Sequence, residues 1–176
     1  NGDFRSGYYR DQTIMMAQGH LDPEKLFAAI YAHPDVEKEP MSAGRQMVGH
    51  FSNTLIDENG VWLDQTQSKN HVSDVSSTGA QMPRLIGLAQ ASKIYRKLKI
   101  KNAHKFSNNG DEIAWGTIGN ASTSEGLFFE AINAAGVLQI PMVMSVWDDG
   151  YGISVDNKQQ TTKESISKAM EGFGRE

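Results

Sequence analysis

The pattern that most limits the fold is a strand–turn–helix–strand order in the second half of the chain. The segments 113–118 and 142–146 are short and largely apolar, which is typical of strands buried in a parallel sheet. The segment 124–138 between them has helical character. Two strands joined by a crossover helix lie parallel, with a right-handed connection. We therefore predict an α/β fold, a parallel sheet flanked by helices, in a single domain over residues 1–176.

Four further helices are expected outside this unit. Asp22 is a suitable N-cap for one of them, because Pro23 then takes the first helical position. These helices are expected at residues 8–18, 23–33, 83–98 and 163–172. Residues 34–53 lack periodicity and contain prolines and glycines, so we interpret them as a long ordered loop, a feature that often has a function.

Composition excludes several classes of protein. With 176 residues, of which 39% are apolar and 22% charged, the chain can form one globular domain with a substantial core. Its net charge of −4 argues against a general nucleic-acid or membrane-surface binder. The absence of cysteine excludes disulfides, thiolate zinc sites and a cysteine nucleophile. We expect a cytoplasmic protein, or an organellar matrix protein if a leader preceded Asn1.

Polar residues follow both predicted strands of the parallel pair. Gly119-Asn120-Ala121 comes after the first strand and Asp148-Asp149-Gly150 after the second. In such sheets ligands bind beyond the carboxyl ends of the strands, so Asn120 and Asp149 are expected to lie close together. Their oxygens suit Mg²⁺, and the small residues beside Asn120 allow a phosphate to approach the backbone. The same residue types also form ordinary βα turns, which is the alternative.

Two segments carry a resemblance to a known family. They read GNASTSEG (119–126) and DDGYGIS (148–154). In the alpha subunits, or alpha halves, of the thiamine-diphosphate-dependent 2-oxo acid dehydrogenases, the matching stretches are Gly-Asp-Gly-Ala-Thr-Ser-Glu-Gly and Asn-Asn-Gly-Tyr-Ala-Ile-Ser. The resemblance covers most of the chain in order, and it extends to GYYRDQ (7–12), GRQMVGHF (44–51), GAQMP (79–83) and FFEAINAAGVLQIPMV (128–143). It implies a thiamine-diphosphate-binding fold.

The chain departs from the family pattern at the metal ligands. The family uses an Asp in the first motif and the second Asn of the later pair, whereas this chain has Asn120 and Asp149. The amide and the carboxylate have exchanged places, so their summed charge is unchanged. The resemblance implies that Asn120, Asp149 and the main-chain carbonyl of Tyr151 bind Mg²⁺. Loss of the metal site is the competing interpretation.

The resemblance also implies roles for other residues. Tyr9 and Arg10 match a pair that holds the cofactor diphosphate, a task that suits the forked guanidinium. An ion pair of Arg10 with Asp11 or Asp3 is the alternative. His50 is a catalytic candidate near the active-site channel, although a loop histidine is often only solvated. The implied cofactor-binding residues are Tyr9, Arg10, Ser76, Thr78, Gly119, Asn120, Ala121, Ser122, Asp149, Tyr151 and Ile153.

By this resemblance the chain contributes the diphosphate and magnesium half of a site that decarboxylates a 2-oxo acid and transfers the acyl group to a lipoyl group. The implied partners are a beta subunit or beta half, in a heterotetramer, and the lipoyl-bearing acyltransferase. A branched-chain 2-oxo acid is the expected substrate, with pyruvate or acetoin as other options. The chain is shorter than a typical alpha subunit, so we expect a C-terminally truncated fragment, inactive alone. The alternative is a non-catalytic, cofactor-free domain that keeps the fold and the partner interface.

Overall fold

A computed structural model describes residues 2–47 and 49–173. A four-stranded parallel sheet forms the centre of the molecule, in the order β2-β1-β3-β4. Beyond it, β5 and β6 form a small antiparallel hairpin. The strands are β1 (Phe4–Ser6), β2 (Asn70–His71), β3 (Ala114–Gly119), β4 (Met142–Trp147), β5 (Tyr151–Gly152) and β6 (Val155–Asp156). The helices are α1 (Gln12–Ala17), α2 (Pro23–Ile30), α3 (Gln81–Lys97), α4 (Gly126–Leu138), α5 (Asn157–Gln160) and α6 (Ile166–Met170).

The predicted α/β fold with a parallel sheet is confirmed. Strands β3 and β4 pair in parallel from Ala114 opposite Met142 to Gly119 opposite Trp147, and α4 is the crossover helix between them. Each strand runs one residue further than predicted at its carboxyl end. The residues that follow, Asn120 and Asp148, therefore stand side by side at one edge of the sheet.

Several predicted helix limits were wrong. The helix predicted over 8–18 covers only Gln12–Ala17, because Tyr8, Tyr9 and Arg10 form a turn between β1 and the helix. The helix predicted from residue 124 begins at Gly126, since Ala121–Ser124 form a separate 3₁₀ turn. The last helix is shortened to Ile166–Met170.

The long loop was predicted correctly. Residues 34–47 and 49–53 contain no helix or strand. The loop is nonetheless organised by the buried carboxylate of Glu39, which accepts hydrogen bonds from the backbone N–H groups of Met41, Ser42 and Gly44 at 2.8–3.1 Å. One side chain thus satisfies backbone donors that a loop of this length would otherwise leave unpaired.

Helices α3 and α4 pack against the same face of β3 and against each other. Met82 of α3, Ile118 of β3 and Phe128 of α4 form one fully buried cluster. Leu85 and Ala89 of α3 pack with Ala114 of β3 in another. Both ends of β3 are therefore fixed by apolar packing, which sets the position of the turn that follows it. No helix within the described ranges is both long and apolar enough to cross a membrane.

A buried ionic cluster lies under the carboxyl ends of the strands. Arg5 of β1 donates to Asp11 through Nε at 2.8 Å, and its Nη2 lies 3.2 Å from Asp74. Thr117 of β3 donates to Asp11 at 2.5 Å, and the backbone N–H of Phe51 donates to Asp74 at 3.1 Å. Arg5, Asp11, Asp74 and Thr117 are all buried. Burial raises the pKa of Asp74, although Arg5 and the N–H group act in the opposite direction.

This cluster leaves no space for a side chain at Gly7. A Cβ atom there would collide with the polar atoms of Asp11, Arg5 and Thr117. The turn between β1 and α1 can therefore follow its observed path only if residue 7 is glycine. As a result, the backbone of Tyr9 and Arg10 is fixed from both sides, by β1 before it and by Asp11 after it.

We predict that Arg5→Met will destabilise the fold by about 3–5 kcal/mol, because it leaves two buried carboxylates without their cation. The free energy of unfolding in urea measures this. Lys25→Met is a matched control, since Lys25 and Asp22 form an ion pair whose side chains are 38% and 47% exposed, and such pairs contribute about 1 kcal/mol or less. Equal costs for the two substitutions would contradict the structural role of the cluster.

We also predict a pH dependence caused by His71. Burial, followed by the positive charge of Arg5, lowers the pKa of His71 from 6.5 to about 4. Between these values the unfolded chain binds a proton that the folded chain does not, so stability falls as the pH drops from 6.5 towards 4. His71→Phe should remove up to about 1.4 kcal/mol per pH unit of this slope. Urea unfolding at several pH values checks it, and parallel curves for the two proteins would contradict it.

Candidate functional site

A cleft of about 620 Å³ opens at the carboxyl ends of the parallel strands. Four separate segments line it: the turn after β1, the loop before α3, the turn after β3, and the loop after β4 together with the β5–β6 hairpin. This is the position at which open parallel sheets bind ligands. The topology, rather than any single motif, therefore places these segments around one space.

All of the predicted cofactor-binding residues line this cleft. They are Tyr9, Arg10, Ser76, Thr78, Gly119, Asn120, Ala121, Ser122, Asp149, Tyr151 and Ile153. His50 is adjacent rather than lining: its Nε2 lies 3.0 Å from the hydroxyl of Ser76, and its Nδ1 lies 2.7 Å from Oε1 of Gln46. The roles assigned to these residues stay predictions.

The turn after β3 is held rigidly against β4. The backbone N–H of Asn120 donates to the carbonyl of Trp147 at 3.1 Å, which continues the parallel ladder by one bond. The hydroxyl of Thr123 donates to the Asn120 carbonyl at 2.6 Å, and the Lys163 ammonium donates to Thr123 Oγ1 at 2.9 Å. Asn120 is accordingly a buried residue with a fixed backbone.

The two aspartates of the loop after β4 stabilise its turn by accepting hydrogen bonds from the loop's own backbone. Asp148 accepts a hydrogen bond from the N–H of Gly150 at 2.9 Å, and Asp149 accepts one from the N–H of Tyr151 at 3.1 Å. Gly150 has φ of +82°, a left-handed conformation that favours glycine. Both aspartates are exposed, so their remaining oxygens are open to the cleft or to solvent.

Arg10 is the cation of the cleft that is best placed for an anion. It is exposed and donates to the hydroxyl of Tyr9 at 3.3 Å. That hydrogen bond is the main reason why the pKa of Arg10 is raised, and the negative charge of Asp149 adds to it. The ion pair with Asp11 considered from the sequence does not form, because Asp11 is buried beside Arg5.

Oxygen donors suited to a hard divalent cation line the same cleft as Arg10. No group of three His, Cys, Asp or Glu side chains that could hold a metal occurs among the described residues. An ion here would take a carboxylate oxygen from Asp149, an amide oxygen from Asn120 and further oxygens from backbone or from a phosphate ligand. Mg²⁺ commonly binds in this way, with few protein carboxylates and substrate phosphates completing its shell. The donor set therefore fits the ion.

Ile153 has an unusual backbone for its residue type. It sits at the tip of the β5–β6 hairpin with φ of +58°, and its side chain is fully exposed in the cleft. A β-branched residue rarely adopts a left-handed conformation, and such strain is concentrated at functional sites.

Sequence reasoning assigned no site role to several residues that the structure places at or beside the cleft. Asn157 accepts a hydrogen bond from the side chain of Asn120 at 2.8 Å, and Gln160 donates to the carbonyl of Ala121 at 3.3 Å. Glu125 lines the cleft from the N-cap position of α4, where a position inside the helix was predicted. Asn157 and Gln160 come after the matched motifs, in a polar stretch with no periodicity that could have marked them.

Comparison with known proteins agrees with this geometry. A sequence model of the family described as "Dehydrogenase E1 component" matches residues 1–174. The chain is 29% identical over 173 residues to the 2-oxoisovalerate dehydrogenase subunit alpha of Bacillus subtilis, covering 98% of this chain and 43% of that protein.

Two eukaryotic relatives are more distant. The mitochondrial 2-oxoisovalerate dehydrogenase subunit alpha of Homo sapiens is 23% identical over 174 residues, covering 99% of this chain and 32% of that protein. The mitochondrial pyruvate dehydrogenase E1 component subunit alpha of Dictyostelium discoideum is 24% identical over 154 residues, covering 87% and 32%. The chain thus spans less than half the length of these curated relatives. Because the family model covers nearly all of it, the chain belongs to the dehydrogenase E1 component family.

Proposed function

We propose that this chain provides the diphosphate and magnesium half of a thiamine-diphosphate site in the alpha component of a 2-oxo acid dehydrogenase. One observation carries the proposal: the cofactor-binding residues implied by the resemblance come from four separate segments and line one cleft. Ordinary βα turns would give no reason for the other two segments to supply Arg10 and Ser76 to the same space.

In this proposal Mg²⁺ is held by the side-chain oxygens of Asn120 and Asp149 and by the carbonyl of Tyr151. The two side chains together bring one negative charge, as the family's Asp and Asn do. Arg10 binds the diphosphate from the turn after β1. The hydroxyl of Tyr9 accepts a hydrogen bond from Arg10 and so orients its guanidinium group. The negative charge of Asp149 then offsets part of the positive charge of Mg²⁺ and of Arg10.

Ser76 and Thr78 lie on the wall formed by the loop before α3, where their backbone groups hold the aminopyrimidine ring. Ile153 supports that ring from the hairpin with its exposed side chain. His50 is fixed between Gln46 and Ser76, and its Nε2 would exchange a proton with a substrate once the Ser76 hydroxyl is displaced. Bound thiamine diphosphate supplies the electron sink for loss of carbon dioxide from a 2-oxo acid.

The proposed substrate is a branched-chain 2-oxo acid, since two of the relatives described above are 2-oxoisovalerate dehydrogenase subunits. Pyruvate is the second option, because another relative is a pyruvate dehydrogenase subunit. We propose a beta subunit or beta half as the partner that completes the site, and a lipoyl-bearing acyltransferase as the acceptor of the acyl group. Alone, the chain is proposed to bind cofactor without turnover.

A second exchange between the two loop tips supports a working site. The family pattern has Gly where this chain has Ala121, and Ala where it has Gly152. A Cβ atom added to Gly152 would lie 2.8 Å from the Cβ of Ala121 and would collide with Oε1 of Gln160. Methyl groups at both positions would overlap, and the exchange avoids this overlap between the two tips.

Calorimetric titration with thiamine diphosphate tests the proposed function. We expect binding by the chain, alone or assembled with its beta partner, only when Mg²⁺ is present, and no detectable heat for Asp149→Ala because the ion loses its carboxylate. Asp111→Ala, at an exposed site outside the cleft, is the control. No heat from the unsubstituted assembly would support the non-catalytic alternative. Unchanged affinity of Asp149→Ala would contradict the ligand assignment.

The contact between the loop tips gives another prediction. Gly152→Ala should cost about 1–3 kcal/mol of unfolding free energy through overpacking against Ala121. The double variant Ala121→Gly/Gly152→Ala should recover part of this cost, because it removes the contact with Ala121 and leaves the contact with Gln160. Gly126→Ala is the control, since a Cβ atom there meets nothing within 4 Å. Urea unfolding measures these costs. A loss of unfolding free energy in the double variant equal to the sum of the two single losses would contradict a steric contact between positions 121 and 152.

A further inference from the structure

A chain of hydrogen bonds joins the turn after β3, the first residue of α5 and the loop after β4. Nδ2 of Asn120 donates to Oδ1 of Asn157 at 2.8 Å, and Nδ2 of Asn157 donates to Oδ1 of Asp148 at 3.3 Å. Asp148 is itself fixed by the N–H of Gly150 at 2.9 Å. Asn157 is the first residue of α5, where its N–H donates to the carbonyl of Gly150 at 3.0 Å. Its position beside Asn120 is therefore set by backbone contacts.

The direction of this chain follows from the chemistry of its ends. An ionised carboxylate only accepts hydrogen bonds, so Asp148 obliges Asn157 to present its NH₂ group to it. The carbonyl oxygen of Asn157 must then face the other way, and it obliges Asn120 to present its own NH₂ group. The oxygen of Asn120 is consequently directed away from Asn157. Within the described residues it accepts no hydrogen bond and is left for another ligand.

An amide needs such a constraint at a cation site, and a carboxylate does not. Both oxygens of an aspartate can bind a cation, whichever way the group is rotated. The two ends of an asparagine differ: the oxygen attracts a cation, whereas the NH₂ group carries partial positive charge and repels it. A freely rotating Asn120 would spend part of its time with the wrong end towards the ion.

We propose that Asn157 is a positioning residue that, with Asp148, holds the amide oxygen of Asn120 towards the divalent cation. This inference rests on the proposed function, because it assumes that the cation binds at Asn120. It explains how the chain tolerates an amide where the family pattern has a carboxylate. It also gives Asp148 a role, since this residue is the acceptor that sets the direction of the whole chain of hydrogen bonds.

The test measures magnesium-dependent binding of thiamine diphosphate by calorimetry, and binding of Mn²⁺ alone by electron paramagnetic resonance, in the full chain assembled with its partner. Asn157→Ala should weaken both by about tenfold, which corresponds to about 1.4 kcal/mol. Asp148→Asn, which allows either direction of the hydrogen-bond chain, should weaken both in the same sense. Gln159→Ala, at an exposed neighbouring position of α5, is the matched control and should have no effect.

Repeating these substitutions in the Asn120→Asp variant distinguishes two causes of weaker binding: lost orientation of the Asn120 amide and damage to the fold of the loop. A carboxylate at position 120 needs no orienting partner, so Asn157→Ala should then change affinity less than twofold. An equal loss in both backgrounds, or no loss in the original chain, would overturn the inference. Failure of the unsubstituted protein to bind the cofactor with Mg²⁺ would overturn the proposed function instead, so the two failures are distinguishable.

Discussion

The buried contact between Arg5 and two aspartates is the constraint on which the cleft depends. Arg5 precedes the turn that carries Tyr9 and Arg10, and Asp74 precedes the loop that carries Ser76 and Thr78. Through Asp11, the cluster also reaches Thr117 on the strand that ends at the Asn120 turn. Three of the four walls of the cleft are therefore fixed to one charged group in the interior.

Apolar packing alone would not fix the positions of these three walls as accurately as the ionic cluster does. Apolar contacts are non-directional, whereas the guanidinium of Arg5 admits its partners only at particular angles. The cluster contains one cation and two carboxylates, and burial, with a smaller contribution from Asp11, raises the pKa of Asp74. Desolvating these charges is expensive, so the cluster is better understood as a device for geometry than as a source of stability.

Sequence reasoning identified the parts of the fold whose signal is local. Strands β3 and β4 are apolar runs with a helix between them, and their parallel pairing follows from general rules of topology. Strands β1 and β2 were missed because they are two or three residues long and carry Arg5, Asn70 and His71, which resemble loop residues. Their strand geometry comes from pairing with β3 and from the ionic cluster, neither of which is visible in a short window of sequence.

For the site, the sequence motifs named the lining residues, and the structure brings them together. What the motifs could not supply was the support behind them. Asn157 follows the last of the matched motifs, and its relation to Asn120 depends on the fold of the β5–β6 hairpin. The predicted helix began two residues too early, at Ser124, because composition does not distinguish the end of the 3₁₀ turn at Ala121–Ser124 from the first turn of α4. The exchange of amide and carboxylate was visible in the sequence, whereas the groups that orient the amide were not.

The left-handed backbone of Ile153 has a consequence for how the cleft meets a ligand. A free chain that already holds this isoleucine in an unfavourable conformation has incurred the conformational cost during folding, supported by the hairpin on both sides. Under the proposed function, binding would need no rearrangement of this residue, and removing its apolar surface from water would add to affinity. The hairpin tip is in this sense preorganised for a flat, weakly polar partner, before any such partner arrives.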